Sequence, residues 1–185
     1  MTGRIFSCKT FLLAAVAALA LVGLRPALAQ NEALQADAAA ALKHLYATSP
    51  SAQALGEKAL GVLVFPSVTR LGFIVGAQGG DGVLYQKGKV SGYYNTGAMS
   101  VGLQAGIQSY GYALFFMTQA DLNYLKNTKG WSIGAGPTIV IADAGAAKDV
   151  STLTGQQGVY GFIFDQKGLM AGMGLTGQKI TKIKR

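Results

Sequence analysis

The stretch "GFIVGAQGGDGVLY", residues 72–85, decides between two kinds of protein. A glycine cluster among apolar residues is either a loop that cradles a phosphate or a tight bend between two strands. A cradle needs a strand, a Gly-rich loop and then a helix whose N–H groups and dipole face the anion. Here Gly76 to Gly82 runs into "VLYQ" (83–86), which has the pattern of another strand. There is no G-x-G-x-x-G register. "GVLYQKGK" (82–89) lacks the Walker spacing and is followed by Val90 where a magnesium-binding Ser or Thr belongs. The cluster is therefore predicted to be a hairpin turn, with glycine supplying positive φ at little steric cost.

The same grammar extends outward. "GVLVFP" (61–66), "RLGFIVGA" (70–77) and "GVLYQ" (82–86) are short apolar runs bounded by Gly or Pro, which predicts three strands. "KGK" (87–89) is a turn signal before "VSGYYN" (90–95). Met99 to Ser109 alternates strictly, with Met99, Val101, Leu103, Ala105 and Ile107 on one face. "GYALFFM" (111–117) is apolar on both faces, as a central strand would be. Thr118 and Asp121 form a capping-box-like start for a short helix through Leu122 and Leu125. "PTIVIAD" (137–143), "VYGFIF" (159–164), "GLMAGMGLTG" (168–177) and "KITKI" (179–183) add further strands, with a type I turn expected at 165–168. Periodicity thus predicts about nine strands and two or three helices. Strands and helices do not alternate regularly, which excludes a doubly wound parallel sheet. The predicted class is α+β: a curved or barrel-like, mainly antiparallel sheet covered by N-terminal helices. Of the 26 glycines, 24 lie between Gly56 and Gly177, enough to permit sharp curvature.

The N-terminal third divides at residues 29 and 59. Arg4 and Lys9 precede an apolar run from Phe11 to Leu24, and Ala27-Leu28-Ala29 places small residues at the −3 and −1 positions. This pattern predicts a secretory signal peptide over 1–29. The run is short against the roughly 20 residues of a membrane span. Gln30 to Thr48 carries Leu34, Ala38, Leu42 and Leu45 at helical spacing. Ser49-Pro50 then opens a second helix as N-cap and first helical residue. Residues 30–59 are expected to pack with 60–185 as one domain. Removing Arg4, Lys9 and Arg25 from the 16 basic residues leaves 13 against 8 acids, a net charge of +5, and the sole cysteine, Cys8, leaves with the leader. Disulfides and thiol chemistry are excluded from such a chain.

The residues give no positive sign of an enzyme. His44 is the single histidine, on a helix beside Leu45, and no His/Cys metal cluster can be assembled. "AMSVG" around Ser100 is not a G-x-S-x-G elbow, lies mid-strand, and no His follows it. No cofactor and no nucleic-acid partner is expected. The basic residues are more informative. Lys179, Lys182, Lys184 and Arg185 crowd the C-terminus, interleaved with Ile180 and Ile183; Lys126 and Lys129 lie close to Trp131; Lys87, Lys89 and Arg70 are assigned to turns. Lysines at strand edges commonly serve only to block aggregation. Together, and with Trp131, Tyr93 and Tyr94 at an interfacial position, these residues would form a face for anionic headgroups.

Four blocks resemble one known family: "KALGVLVFPSVTRLGFIVGAQGGDGVL" (58–84), "GYYNTGAMSVGLQAGIQSYGYALFFM" (92–117), "GWSIGAGPTIVIADAG" (130–145) and "FDQKGLMAGMGLTGQKITKI" (164–183). They are similar, in the same order, to the SYLF domain, also called the Ysc-type actin-binding domain. The resemblance implies a lipid-binding module and no enzyme. It implies an exported protein of the periplasm or cell envelope, since bacterial members carry signal peptides. Eukaryotic members bind phosphoinositides and, in fungi, actin; an exported bacterial member is not expected to meet actin. The N-terminal segment that helps relatives touch membranes carries Glu32 and Asp37 against Lys43 here and so has no basic face. That departure moves the expected contact with anionic phospholipid to the lysine-bearing turns and the C-terminal strand. Two other readings are a structural or protein-interaction module of the envelope and an outer-membrane barrel. Runs apolar on both faces and a Lys-Arg end oppose the barrel.

Overall fold

Alternation and capping translate directly into the first elements. A computed structural model describes residues 25–72, 75–101, 106–143, 158–168, 175 and 177–185. Two compact units are present, 1–33 with Arg185, and 34–184. The described part of the first is the opening of helix α1 (Arg25–Thr48), which starts five residues before the predicted cleavage point. The leader's basic start and apolar run lie outside the described residues. In the second unit, Ser49 caps α2 (Pro50–Lys58) by accepting a hydrogen bond from the Ala52 N–H, and Pro50 occupies the first turn, where its missing donor costs nothing. Thr118 caps α3 (Gln119–Asn127) in the same way through the Asp121 N–H.

The strands are β1 (Gly61–Gly72), β2 (Val75–Gln86), β3 (Lys89–Val101), β4 (Gly106–Phe116), β5 (Trp131–Ser132), β6 (Ile139–Asp143), β7 (Val159–Gly168) and β8 (Lys179–Ile183). They form one sheet in the order β5-β8-β3-β2-β1-β4-β7-β6. Among the described strands only the β6–β7 pair is parallel. The α+β class and the curled, mainly antiparallel sheet stand as predicted, with eight strands among the described residues where about nine were expected from periodicity. Ile180 of β8 and Ile163 of β7, far apart in strand order, share one cluster with Leu63, Tyr94, Tyr112 and Leu114. The sheet therefore curls around this inner core, which Leu122 and Leu125 of α3 and Trp131 help fill. On the outer face, Val64, Val83, Ala113 and Phe115 pack against Ala38, Leu45, Ala52 and Leu55 of α1 and α2. The stripe anticipated on the first helix is the one that covers the sheet.

Three local expectations are overturned. The glycine cluster 76–82 is not a turn: it is the body of β2, paired with β1 on one side and β3 on the other. "RLGFIVGA" is correspondingly no separate strand, because 70–72 end β1 and 75–77 begin β2. The cause is a bulge. β1 carries one residue more than β2 between the pairs Val64↔Val83 and Thr69↔Gly79, and one more than β4 between Phe65↔Tyr112 and Val68↔Tyr110. Pro66 falls within this bulge, the place where a central strand tolerates proline. A Cβ on Gly80 would strike the Ser67 carbonyl, and one on Gly82 would lie 2.6 Å from the Phe65 ring. The glycines admit a close strand crossing. With a strand after it and no helix, the segment is no phosphate cradle.

Second, Met99 to Ser109 is not one strand. Residues 99–101 end β3, between β2 and β8, while 106–109 begin β4, between β1 and β7; residues 102–105 lie outside the described set. Alternation persists because both ends present the same face of the same sheet. Third, residues 165–168 do not form a type I turn. β7 continues to Gly168, with an extra residue between Gly111↔Phe164 and Ser109↔Lys167, and Asp165 takes a positive φ of 52° at that bulge. Its carboxylate lies 3.3 Å from His44 Nε2 on α1. The strand expected over 168–177 falls mostly outside the described residues. The Lys87-Gly88 turn is as predicted, both residues at positive φ, as a two-residue type I′ hairpin requires.

Candidate functional site

The predicted basic residues do not gather into one face. Lys87 and Lys89 are exposed at the β2–β3 hairpin. Lys179 and Lys182 are exposed on β8 but point to opposite faces, paired with Gly97 and Tyr94. Lys184, Arg185 and Lys129 are exposed. Lys126 is half-buried, its Nζ donating to Gln86 Oε1 at 2.8 Å, so it serves the hairpin. Arg70 lies within β1 and in no turn, in register with Gln78 and Gln108. Trp131 is 1 % exposed and meets Phe116 and Tyr124 edge-on; it is a core residue and is not available at an interface. Tyr94 is buried as well. The interfacial aromatics expected from sequence are thus reduced to Tyr93, whose hydroxyl accepts from Gln35.

What the sequence reading missed is the far half of the outer face. Strand register sets Met99, Ala77, Leu71 and Ile107 side by side across β3, β2, β1 and β4. Met99 is 83 % exposed, Ile107 69 %, Leu71 49 %, and Val75 beside them 57 %. Two residues back along the strands, on the same face, runs the row Lys179–Gly97–Gly79–Thr69–Ser109–Lys167. An apolar row is therefore backed by a flat floor of small residues with an exposed lysine at each end. Two residues of strand set the lysines about 7 Å behind the apolar row. The signal was present in the alternation of 99–109, but alternation does not say whether anything covers the apolar side.

A second feature lies where the N-terminal helices meet the hairpin. A groove of about 680 Å³ runs between Leu42, Lys43 and Tyr46 of α1 and Val62, Tyr85 and Lys87 of the sheet. Gly56 of α2 admits the Tyr46 ring beside it, since a Cβ there would occupy the space of the phenol. Burial, helped by the neighbouring Glu57 carboxylate, raises the Tyr46 pKa; burial and Tyr93 raise that of Tyr85. Both phenols are therefore neutral donors at physiological pH. Lys43 and Lys87 are exposed at the rim, and Glu57 is the one acid on the lining.

Inside the curl, one-way hydrogen bonds link three strands, β4, β3 and β2, with Gln178, the residue before β8. Tyr112 donates to Thr96 Oγ1 (2.8 Å), Thr96 to Gln178 Oε1 (2.9 Å), Gln178 Nε2 to the Tyr110 hydroxyl (2.9 Å), and Tyr110 to Gln78 Oε1 (3.2 Å). Burial holds the Tyr112 pKa well above its ordinary value. The ladder ties Gln178, just before β8, to the core residues Thr96 and Tyr110 and so fastens the start of the C-terminal strand. Among the described residues no group of three or more His, Cys, Asp or Glu could hold a metal ion, and no helix is long and apolar enough to cross a membrane.

Among the described residues, the curled sheet carries helices over one half of its outer face and an exposed, lysine-flanked apolar row on the other. Residues 97–185, just under half of the chain, match the Ysc84 family model, described as Las17-binding protein actin regulator, and this match supports the SYLF-domain resemblance seen in the sequence. The match begins in the middle of β3, so the first resemblance block (58–84) lies outside it. No curated protein matches the chain.

Proposed function

We propose that this protein is an exported, non-enzymatic module of the cell envelope that binds membranes rich in anionic phospholipid peripherally. The observation that carries the reading is the exposed row Met99–Leu71–Ile107 with Lys179 and Lys167 set back on the same face. The headgroup layer on each side of a bilayer is roughly 5–8 Å deep. With the apolar row at the hydrocarbon boundary, lysines about 7 Å behind it stand at the phosphates. Fully burying a Met or Ile side chain contributes about 1.5–3 kcal/mol, and each lysine near an anionic surface about 1 kcal/mol. Sums of that size suit reversible docking.

The test is co-sedimentation with vesicles of phosphatidylcholine alone and of phosphatidylcholine with phosphatidylglycerol, at low and high salt. Binding should require the anionic lipid and weaken in salt. Met99→Ser with Ile107→Ser should lower the partition coefficient about 100-fold, from roughly 3 kcal/mol of lost burial. Lys167→Gln with Lys179→Gln should lower it about tenfold or more on anionic vesicles only. Equal sedimentation of all variants would refute the docking edge, and no sedimentation under any condition would leave the face to a protein partner. A Gln30–Arg185 form appearing in the periplasmic fraction of cells expressing the full chain would support export; retention of the full chain in the cytoplasm would refute it.

A further inference from the structure

The groove between α1 and the β2–β3 hairpin plays no part in that docking edge, which sits at the opposite end of the same strands. We propose that it is a binding site for a single long acyl chain with an anionic head, a fatty-acid-type carboxylate. Its volume of about 680 Å³ falls within the roughly 300–1,000 Å³ usual for small-molecule sites. Leu42, Leu60 and Val62 supply apolar wall, and Tyr46 and Tyr85 add ring surface. That lining suits a chain. Lys43 and Lys87 outnumber Glu57, so the rim favours an anionic head over a cationic one.

The neighbouring contacts keep the groove from closing. Tyr85 donates its hydroxyl to the Gln35 carbonyl at 3.1 Å, and Gln35 Nε2 donates to the Tyr93 hydroxyl at 2.6 Å. These bonds hold α1 to the sheet on one side of the groove. Ser49 and Pro50 fix the start of α2, and Gly56 leaves room for the Tyr46 ring to lie back. The walls are thus preset by caps and hydrogen bonds that no ligand has to form.

Isothermal titration of the full chain with oleate, below its micellar concentration, tests the proposal. One-to-one saturable binding is expected. Ala39 is exposed on α1 and lines the groove, so Ala39→Trp fills it from outside the core. That variant should lose at least tenfold in affinity with unchanged circular dichroism and melting. Lys43→Gln with Lys87→Gln should cost about tenfold for oleate and leave methyl oleate unaffected. Met99→Ser with Ile107→Ser should bind oleate normally while losing vesicle binding, and Ala39→Trp should sediment with vesicles normally, so the two readings fail separately. Absence of saturable binding, or oleate binding that Ala39→Trp leaves intact, overturns the proposal. So does a dimer seen by light scattering that Ala39→Trp dissociates, because the groove would then be filled by a second copy of the chain.

Discussion

The two halves of the outer sheet face are made by the same strands and treated oppositely. Near the β2–β3 hairpin, β1, β2 and β4 present Val64, Val83, Ala113 and Phe115, and α1 and α2 lie over them. Further along, the same strands present Gly79, Thr69 and Ser109, then Ala77, Leu71 and Ile107, and β3 adds Met99. The covered half carries bulk because bulk is what a helix packs against. The bare half carries glycine and hydroxyls where it meets water, and returns to large apolar side chains only at its rim. A sheet meant only to be stable would place its exposed apolar residues singly, and the row of them here is what the proposed docking edge rests on. On the proposed reading, stability and binding are allotted to different lengths of one set of strands.

The largest effect that would break this division is Phe115→Ala. Phe115 is fully buried and meets Phe162 edge-on at 5.5 Å and Tyr46 at 6.3 Å. Its truncation should cost about 3–5 kcal/mol in urea denaturation. Met99→Ser, on the same face of the same sheet, should change the midpoint by less than about 0.5 kcal/mol, because 83 % of that side chain already faces water. Equal costs at the two sites would mean that the bare half is covered in solution and that the division is false.

Glycine sharpens the comparison. Gly82 faces the inner core across the bulge, and a Cβ there would meet Phe65 at 2.6 Å and the Val64 carbonyl at 2.7 Å. Gly82→Ala should therefore destabilise by about 1–3 kcal/mol through overpacking. Gly79 lies on the bare floor, where the nearest atom to an added Cβ is the Thr96 carbonyl at 3.5 Å. Gly79→Ala should be neutral or stabilising by up to about 1 kcal/mol, since it only restricts the unfolded chain. Thermal melts of the two variants check both signs.

The sequence made much of this architecture legible where local rules govern it. Leu34, Ala38, Leu42 and Leu45 announced the helix that covers the sheet; Ser49-Pro50 and Thr118 announced their helices; the Lys87-Gly88 turn announced its hairpin. What local rules do not contain is the partner across the sheet. Glycine at 80 and 82 has the composition of a turn, and only the crossing of β1 at Pro66 explains it as strand. Trp131 follows two lysines closely in sequence, Lys126 and Lys129, yet the return of β8 beside β5 buries it. Among the predicted site residues, Lys87 was placed correctly at an exposed turn, but its relation to Lys43 and the groove depends on a helix docking some forty residues away in sequence. Lys167 was passed over because the 165–168 bulge has the composition of a turn.

At neutral pH the smallest predicted effect is that of a tyrosine which separates the inner core from both halves of the outer face. Tyr94 is 1 % exposed, and its hydroxyl has no hydrogen-bond partner among the described residues. Burial pushes its pKa up to about 12. Below pH 10 the phenol is neutral in the folded and the unfolded chain alike, so it adds no pH dependence. Between about 10 and about 12 the unfolded chain releases the proton and the folded chain keeps it, so stability falls as pH rises. The loss should be on the order of 2 kcal/mol at the upper end of that window. Tyr112 adds to the same slope, its buried hydroxyl being held well above the ordinary tyrosine value. Tyr94→Phe removes an unpaired polar group, so it should be neutral or slightly stabilising at pH 7 and should flatten the alkaline decline. Tyr112→Phe also flattens it but takes the donor from Thr96 and should cost about 1 kcal/mol at pH 7. Denaturation midpoints at pH 7 and pH 11 distinguish the two. A Tyr94→Phe variant as alkali-sensitive as the parent would show that water reaches this hydroxyl, and the inner face would then be an accessible surface with the curl open around it.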